Sequence, residues 1–269
     1  MPELPEVQCV VNSLVGIKNK VVKKVTIWNN RLREPVQMDL ENQLVNKSVT
    51  DVVRRGKFLI FKLSKGEIVA HLGMTGKFLI QNHLIEDKFN RVGIEFTDGT
   101  FLIYSDIRKF GFVTYEDNAN ENKYIKKLGI EPLSNDFNPE TLYAMTRNNK
   151  KNIKQFLLDQ SYIVGLGNIY VIELMYICKI SPLTKAQDLT KEKATQLVAE
   201  TKSILEKAIQ QGGSSISDYR DAFDQEGSFQ DNFNVYGKKF DKLKHPVTKI
   251  KQNGRGTYYC AICQNVPEE

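Results

Sequence analysis

Pro2-Glu3-Leu4-Pro5-Glu6-Val7 follows Met1 directly, and the reading of the whole chain turns on it. Pro5 stands where the first turn of a helix tolerates a missing amide hydrogen. Val7, Val10, Val11 and Leu14 then recur at helical spacing. The chain is therefore expected to open with a helix whose first turn carries two acids, Glu3 and Glu6. The small residue after Met1 favours removal of the methionine, which would leave Pro2 with a free secondary amine. An α-amino group titrates near 8, well below lysine, so part of it is neutral and can attack an aldehyde-like carbon. Because the proline nitrogen is already disubstituted, the adduct is a charged iminium, an electron sink that lets a β-proton leave. Within one helical turn of that nitrogen, one acid can move protons while the other supports the amine. Taken alone, the same run also reads as a helix start whose acids complement the dipole.

Working outward, short β-branched runs fill residues 21–115. They are Val25–Trp28, Phe58–Leu63, Ile68–Leu72, Lys77–Ile80, Val92–Phe96 and Phe101–Ser105, separated by turns such as Ser64-Lys65-Gly66 and Thr97-Asp98-Gly99. This pattern predicts an antiparallel sandwich with one N-terminal helix. A polar stretch over 116–139, punctuated by Pro132 and Pro139, is expected to carry a domain junction. Beyond it the period is helical: Asn138-Pro139 reads as an N-cap and first-turn proline, and Ile153–Gln160, Asn168–Ile180 and Thr190–Gln211 read as helices. Gly212 and Gly213 close the last of these. Alternating apolar residues around Asn253-Gly254 predict a terminal hairpin. The expected fold is α+β, with domains at 1–133 (sandwich), 134–232 (helical) and 233–269 (finger-like β-hairpin).

The 269 residues are 41% hydrophobic and 26% charged, the composition of an ordinary globular chain long enough for two domains. No apolar run reaches the roughly 20 residues of a membrane helix, and Glu3 and Glu6 replace the basic start of a targeting segment. A cytoplasmic location is expected. The four cysteines are too few and too scattered for a disulfide framework. A net charge of +6 favours polyanionic partners without identifying them.

Further motifs follow the opening in a fixed order: Gly56-Lys57, His71-Leu72-Gly73-Met74-Thr75-Gly76, Asp106-Ile107-Arg108-Lys109-Phe110-Gly111, Leu157-Leu158-Asp159-Gln160, Gly165-Leu166-Gly167-Asn168-Ile169-Tyr170, Val235-Tyr236-Gly237 and Gly254-Arg255-Gly256-Thr257. Together they resemble the formamidopyrimidine-DNA glycosylases across almost the whole chain. The resemblance implies a bifunctional glycosylase and lyase of base excision repair, in which Pro2 is the Schiff-base nucleophile, Glu3 the general acid/base and Glu6 a supporting carboxylate. It places Lys57 on a hairpin loop near a phosphate beside the lesion. A base inside a duplex must be flipped before its sugar can be attacked. The resemblance assigns the plugging of that gap to Met74, Arg108 and Phe110, with Lys109 alongside. It likewise implies that Gly165–Asn168 belongs to a helix-two-turns-helix element, a phosphate cradle that Asn168 joins. Lys154, His71 and Arg255 become DNA contacts, and the segment 214–229 becomes the loop over the flipped base. The expected partner is damaged duplex DNA bound by a monomer in the cleft between domains, with no external cofactor.

The sequence departs from the family where a zinc finger with two CxxC pairs is usual. Only Cys260-Ala261-Ile262-Cys263 is present, and residues 238–245 hold no cysteine. Structural zinc takes four ligands; counting His245 gives three, so the finger is expected to hold by apolar packing of Val247, Ile250, Tyr258 and Tyr259 without metal. Lys109 replaces a usual arginine, and Ile172 a usual aspartate. Leu4 favours the oxidised-purine branch over a relative acting on oxidised pyrimidines. A silent binder of distorted DNA would have no use for a nucleophile beside a proton shuttle.

Overall fold

The computed structural model describes residues 1–216 and 219–265. By contacts the chain forms two units, Met1–Lys126 with Ile209–Gln230, and Lys127–Ala208 with Asp231–Glu269.

In the first unit, helix α1 (Leu4–Ser13) buries Leu4, Val7, Val10 and Val11, the spacing read from the sequence. Eight strands follow: β1 (Val22–Ile27), β2 (Val49–Arg55), β3 (Phe58–Leu63), β4 (Glu67–His71), β5 (Gly76–Gln81), β6 (Asn90–Phe96), β7 (Phe101–Asp106) and β8 (Phe112–Glu116), with a short helix α2 (Leu40–Leu44) after β1. They form two antiparallel four-stranded sheets, ordered β1-β6-β7-β5 and β2-β3-β4-β8. Their apolar faces share one core in which Phe61 meets Phe78 edge-on at 5.1 Å. The expected sandwich is present. Strands β2 and β8 and helix α2 were not expected. Both strands are sheet edges; β2, only partly buried, carries Asp51, Arg54 and Arg55, which dilute the apolar alternation that marks a strand, whereas β8 is a short apolar run ending at Glu116. The segment 209–230 closes this unit: Ala222 N–H donates to Ser13 Oγ, and Ile80 N–H to Ala222 O.

The second unit holds helices α3 (Pro139–Thr146), α4 (Ile153–Leu158), α5 (Asn168–Ile177) and α6 (Lys191–Gln210), then strands β9 (Thr248–Gln252) and β10 (Arg255–Tyr259). Asn138 caps α3 by accepting the Thr141 N–H at 2.9 Å. The turn between α4 and α5 is stapled by Gln160, whose amide donates to Leu158 O and Leu166 O and accepts the Gly165 N–H, all within 2.9 Å. Asn253 and Gly254 both take positive φ, 48° and 77°, as a two-residue I′ hairpin requires.

The hairpin is reached through residues 234–236, which Glu173 of α5 holds. Glu173 is 1% exposed, and its two oxygens accept the N–H groups of Asn234, Val235 and Tyr236 and the Asn234 amide at 2.7–3.0 Å. Glu173→Gln puts an NH₂ in place of one oxygen, so two of these bonds become donor against donor, a cost of about 3 kcal/mol. Amide exchange at 234–236 is expected to quicken roughly a hundredfold in that variant.

Candidate functional site

Pro2 and Glu3 are buried at the amino end of α1, with Glu3 as its N-cap. Glu6 completes a capping box, its Oε2 accepting the Glu3 N–H at 2.8 Å. Its Oε1 accepts both the N–H and the hydroxyl of Ser214, at 2.8 and 2.9 Å. A carboxylate 2% exposed with both oxygens engaged fixes position; it is not arranged to shuttle protons. Gly213 allows this approach, since at φ +81° a Cβ there would stand 3.1 Å from Glu6 Oε1. Lys57, 6% exposed, lies in the two-residue turn between β2 and β3. Arg54 braces that turn against α1 by donating to Gln8 Oε1 at 3.0 Å and to Gly56 O at 3.1 Å.

On the loops after β4 and β7 the structure brings together most of the remaining first-unit residues. Met74 is 38% and Phe110 47% exposed, which excludes a core role for either. Arg108 is exposed with its guanidinium over the Phe110 ring at 4.7 Å. Lys109, at φ +59°, lines a separate hollow of about 400 Å³ with Trp28, Arg31 and Met38. The two loops are fastened by Asp106, which is fully buried. Its Oδ1 accepts Thr75 Oγ1–H at 2.6 Å and the Arg108 N–H at 3.2 Å, and its Oδ2 the Gly111 N–H at 2.9 Å. Gly73 (φ +60°) packs so closely that a Cβ would lie 2.5 Å from Gly111 N. His71 is buried, and its Nδ1 accepts the Gly73 N–H at 3.0 Å, which leaves the proton on Nε2. Burial, then the charges of Lys57 and Arg33, push its pKa down to about 4. A contact from His71 to phosphate is therefore that of a neutral N–H donor.

In the second unit, Lys154 on α4 is 2% exposed and donates to Thr257 Oγ1 at 2.7 Å, while the Asn168 amide at the start of α5 donates to Gly256 O at 3.1 Å. Both tie the helix pair to the hairpin. The Asn168 amide nitrogen is thereby committed to the hairpin turn. Lys154, Lys151 and exposed Arg255 line a groove of about 270 Å³. Burial, then the neighbouring Arg255, lower the Lys154 pKa to about 8.

Residues 1–113 match the formamidopyrimidine-DNA glycosylase N-terminal domain and residues 128–220 the formamidopyrimidine-DNA glycosylase H2TH domain. The chain belongs to the formamidopyrimidine-DNA glycosylase family. A formamidopyrimidine-DNA glycosylase of Wolbachia pipientis subsp. Culex pipiens is 40% identical over 271 residues, which cover 98% of this chain and 100% of the relative. A mutant Lactococcus lactis FPG in complex with a Fapy-dG containing DNA superposes with a TM-score of 0.90 at 33% identity, covering 98% of this chain and 99% of that one. The Lactococcus lactis Fpg with an abasic site containing DNA gives 0.89 at 33% identity, covering 97% and 99%. No helix among the described residues is long and apolar enough to cross a membrane.

Within the family frame, four residues are more important than the sequence reading made them. Asp106 and Ser214 were quoted only inside a motif or a loop, although a carboxylate just before a turn is the usual signal for capture of turn N–H groups. Glu173 was overlooked beside the noted Ile172, which is simply buried at 1% exposure. At the finger the sequence count stopped at Cys260, Cys263 and His245. The structure adds a fourth donor, Asp241, and the ligand atoms of all four lie within 4.8 Å of one another. Residues 217 and 218 of the expected lesion loop lie outside the described residues; the loop's ends are joined by an antiparallel bridge between Ser214 and Ser228.

The depressed pKa of His71 makes stability depend on pH. Between its ordinary value of 6.5 and about 4, the unfolded chain takes up a proton that the folded chain refuses. A contribution of about 3 kcal/mol is thus complete above the upper limit and lost as the pH falls to the lower one. His71→Gln is expected to flatten the pH dependence of the urea midpoint across that window.

Proposed function

We propose that this chain excises oxidised purines from duplex DNA and then cleaves the exposed backbone, acting in base excision repair through an iminium formed at Pro2. The observation that carries the reading is the build of the chain's amino end. Pro2 lies at the mouth of a helix whose cap, Glu3 and Glu6, is locked by hydrogen bonds, and the turn bearing Lys57 is braced to the same helix. Met1 is 45% exposed, open to the excision that turns the Pro2 nitrogen into an amine.

In this reading the Pro2 nitrogen attacks C1′ of the flipped nucleotide, and the base leaves with the electron pair of the glycosidic bond. Glu3 donates a proton to the ring oxygen as the sugar opens to the iminium. Loss of a C2′ proton then expels the 3′ phosphate, and a second elimination expels the 5′ phosphate, leaving a one-nucleoside gap. The iminium accepts the electrons at each stage, so no external cofactor enters the chemistry. Glu6 holds the nucleophile in place. Met74 and Phe110 fill the stack vacated by the flipped base, while Arg108 meets the orphaned partner base. Lys57, Lys154 and Arg255 supply the positive charge that holds the sugar-phosphate backbone. The segment 214–229 covers the extruded base.

Borohydride added during turnover of an 8-oxoguanine duplex is expected to attach the protein covalently to DNA. Pro2→Gly is expected to lose most of that trapping while still binding the duplex. Binding without any trapped adduct in the unaltered chain, or full activity in a mature chain that retains Met1, would overturn the mechanism; faster incision of a thymine-glycol duplex would overturn the purine assignment. Lys154 gives a second check. A phosphate beside it restores its ordinary basicity, so binding takes up a proton and weakens as the pH rises past about 8. Affinity for the duplex is expected to drop about tenfold from pH 7 to pH 9. Lys154→Gln binds more weakly at pH 7 and lacks this dependence.

A further inference from the structure

We propose that the finger binds one zinc ion through Asp241, His245, Cys260 and Cys263, a mixed donor set in place of the four thiolates usual in the family. Four donors converge there, enough for a closed tetrahedral site. Cys263 Sγ lies 3.2 Å from His245 Nδ1 and 3.2 Å from Asp241 Oδ2, and Nδ1 lies 3.5 Å from Oδ2. Tetrahedral zinc with ordinary bond lengths separates its nitrogen, oxygen and sulfur ligands by about 3.3–3.8 Å; these three donors lie within a few tenths of an ångström of that spacing, and all four lie within 4.8 Å of one another.

The outer contacts prepare each donor. Asp241 Oδ1 accepts the N–H groups of Leu243 and His245 at 2.9 and 2.8 Å, which turns Oδ2 toward the other three donors. The Tyr176 hydroxyl donates to that same Oδ2 at 3.2 Å, the kind of bond that orients a ligating carboxylate. Cys260 is fully buried. Its N–H donates to Gln264 Oε1 at 2.9 Å, and the Gln264 amide is anchored on Ile180 O at 2.7 Å. The Cys263 N–H points at Cys260 Sγ at 3.4 Å, as in knuckles that stabilise a thiolate. Asp241-x₃-His245 thus forms one knuckle and Cys260-x₂-Cys263 the other, one on each side of the β9–β10 hairpin.

Two sulfurs and an imidazole disfavour magnesium and calcium, which take oxygen ligands, and suit zinc. Binding releases the proton of each thiol. Two thiolates and one carboxylate leave the complex with one net negative charge, and Lys238, Lys239, Lys242 and Lys244 surround it in sequence. With no open ligand position, the ion is structural: it clamps the base of the hairpin that presents Arg255.

The full chain, purified after expression in zinc-supplemented medium, is expected to carry about one zinc per molecule by elemental analysis. Replacement by cobalt(II) should give the strong visible d–d absorption of tetrahedral cobalt with near-ultraviolet thiolate charge transfer. Asp241→Ala should weaken zinc binding by at least about tenfold. Asp241→Cys should restore it and strengthen the charge-transfer band, which separates loss of a ligand from loss of fold. Absence of stoichiometric zinc together with absence of the tetrahedral cobalt spectrum in the unaltered chain would overturn the proposal, as would undiminished zinc affinity in Asp241→Ala. Neither readout depends on DNA cleavage.

Discussion

The buried carboxylate of Glu6 is the constraint on which the placement of the backbone beside Pro2 depends. An amine at the end of a chain is by default the most mobile group in a protein. In the proposed reading Pro2 becomes such an amine; Glu3, which follows it, is hydrogen-bonded into the first turn of a helix, and the acid that accepts this bond also holds Ser214, more than two hundred residues further on. Val7, Cys9, Val10 and Val11, which α1 sinks into the sandwich core, keep the helix in place, and the carboxylate passes that rigidity to the backbone beside Pro2. Burying such a charge is costly unless it is hydrogen-bonded; donors on both oxygens meet that need here.

The same device recurs. Asp106 fastens two loops, Glu173 fastens the start of the finger, and Asp241 folds the knuckle that contains His245. In each case a buried acid captures several N–H groups that non-helical backbone would leave unpaired. Irregular backbone carries most of the candidate site's side chains, and buried acids let it be irregular and rigid at once.

This explains what could be read in advance. The α1 periodicity, the strand β3, the α4 and α5 starts and the Asn253-Gly254 turn all rest on local chemistry, and the sequence displays them directly. The edge strand β2 was hidden because a strand with one neighbour tolerates charge. The residues of the candidate site were legible through motif order. Their anchors were not: nothing about an acid in a sequence says which distant N–H it will meet. Asp241 is the sharpest case, since an aspartate among lysines reads as a solvated surface charge until the fold sets it against two cysteines and a histidine.

Asp106 has a mechanical consequence. Met74 and Phe110 stand on different turns, separated by thirty-six positions, yet the acid and the close packing at Gly73 weld those turns into one body. In the proposed reading, two such side chains cannot adjust independently to the duplex. Their substitutions should therefore be non-additive, and a relative that reshapes one tip must remodel the other to keep the pair matched to the spacing of stacked bases.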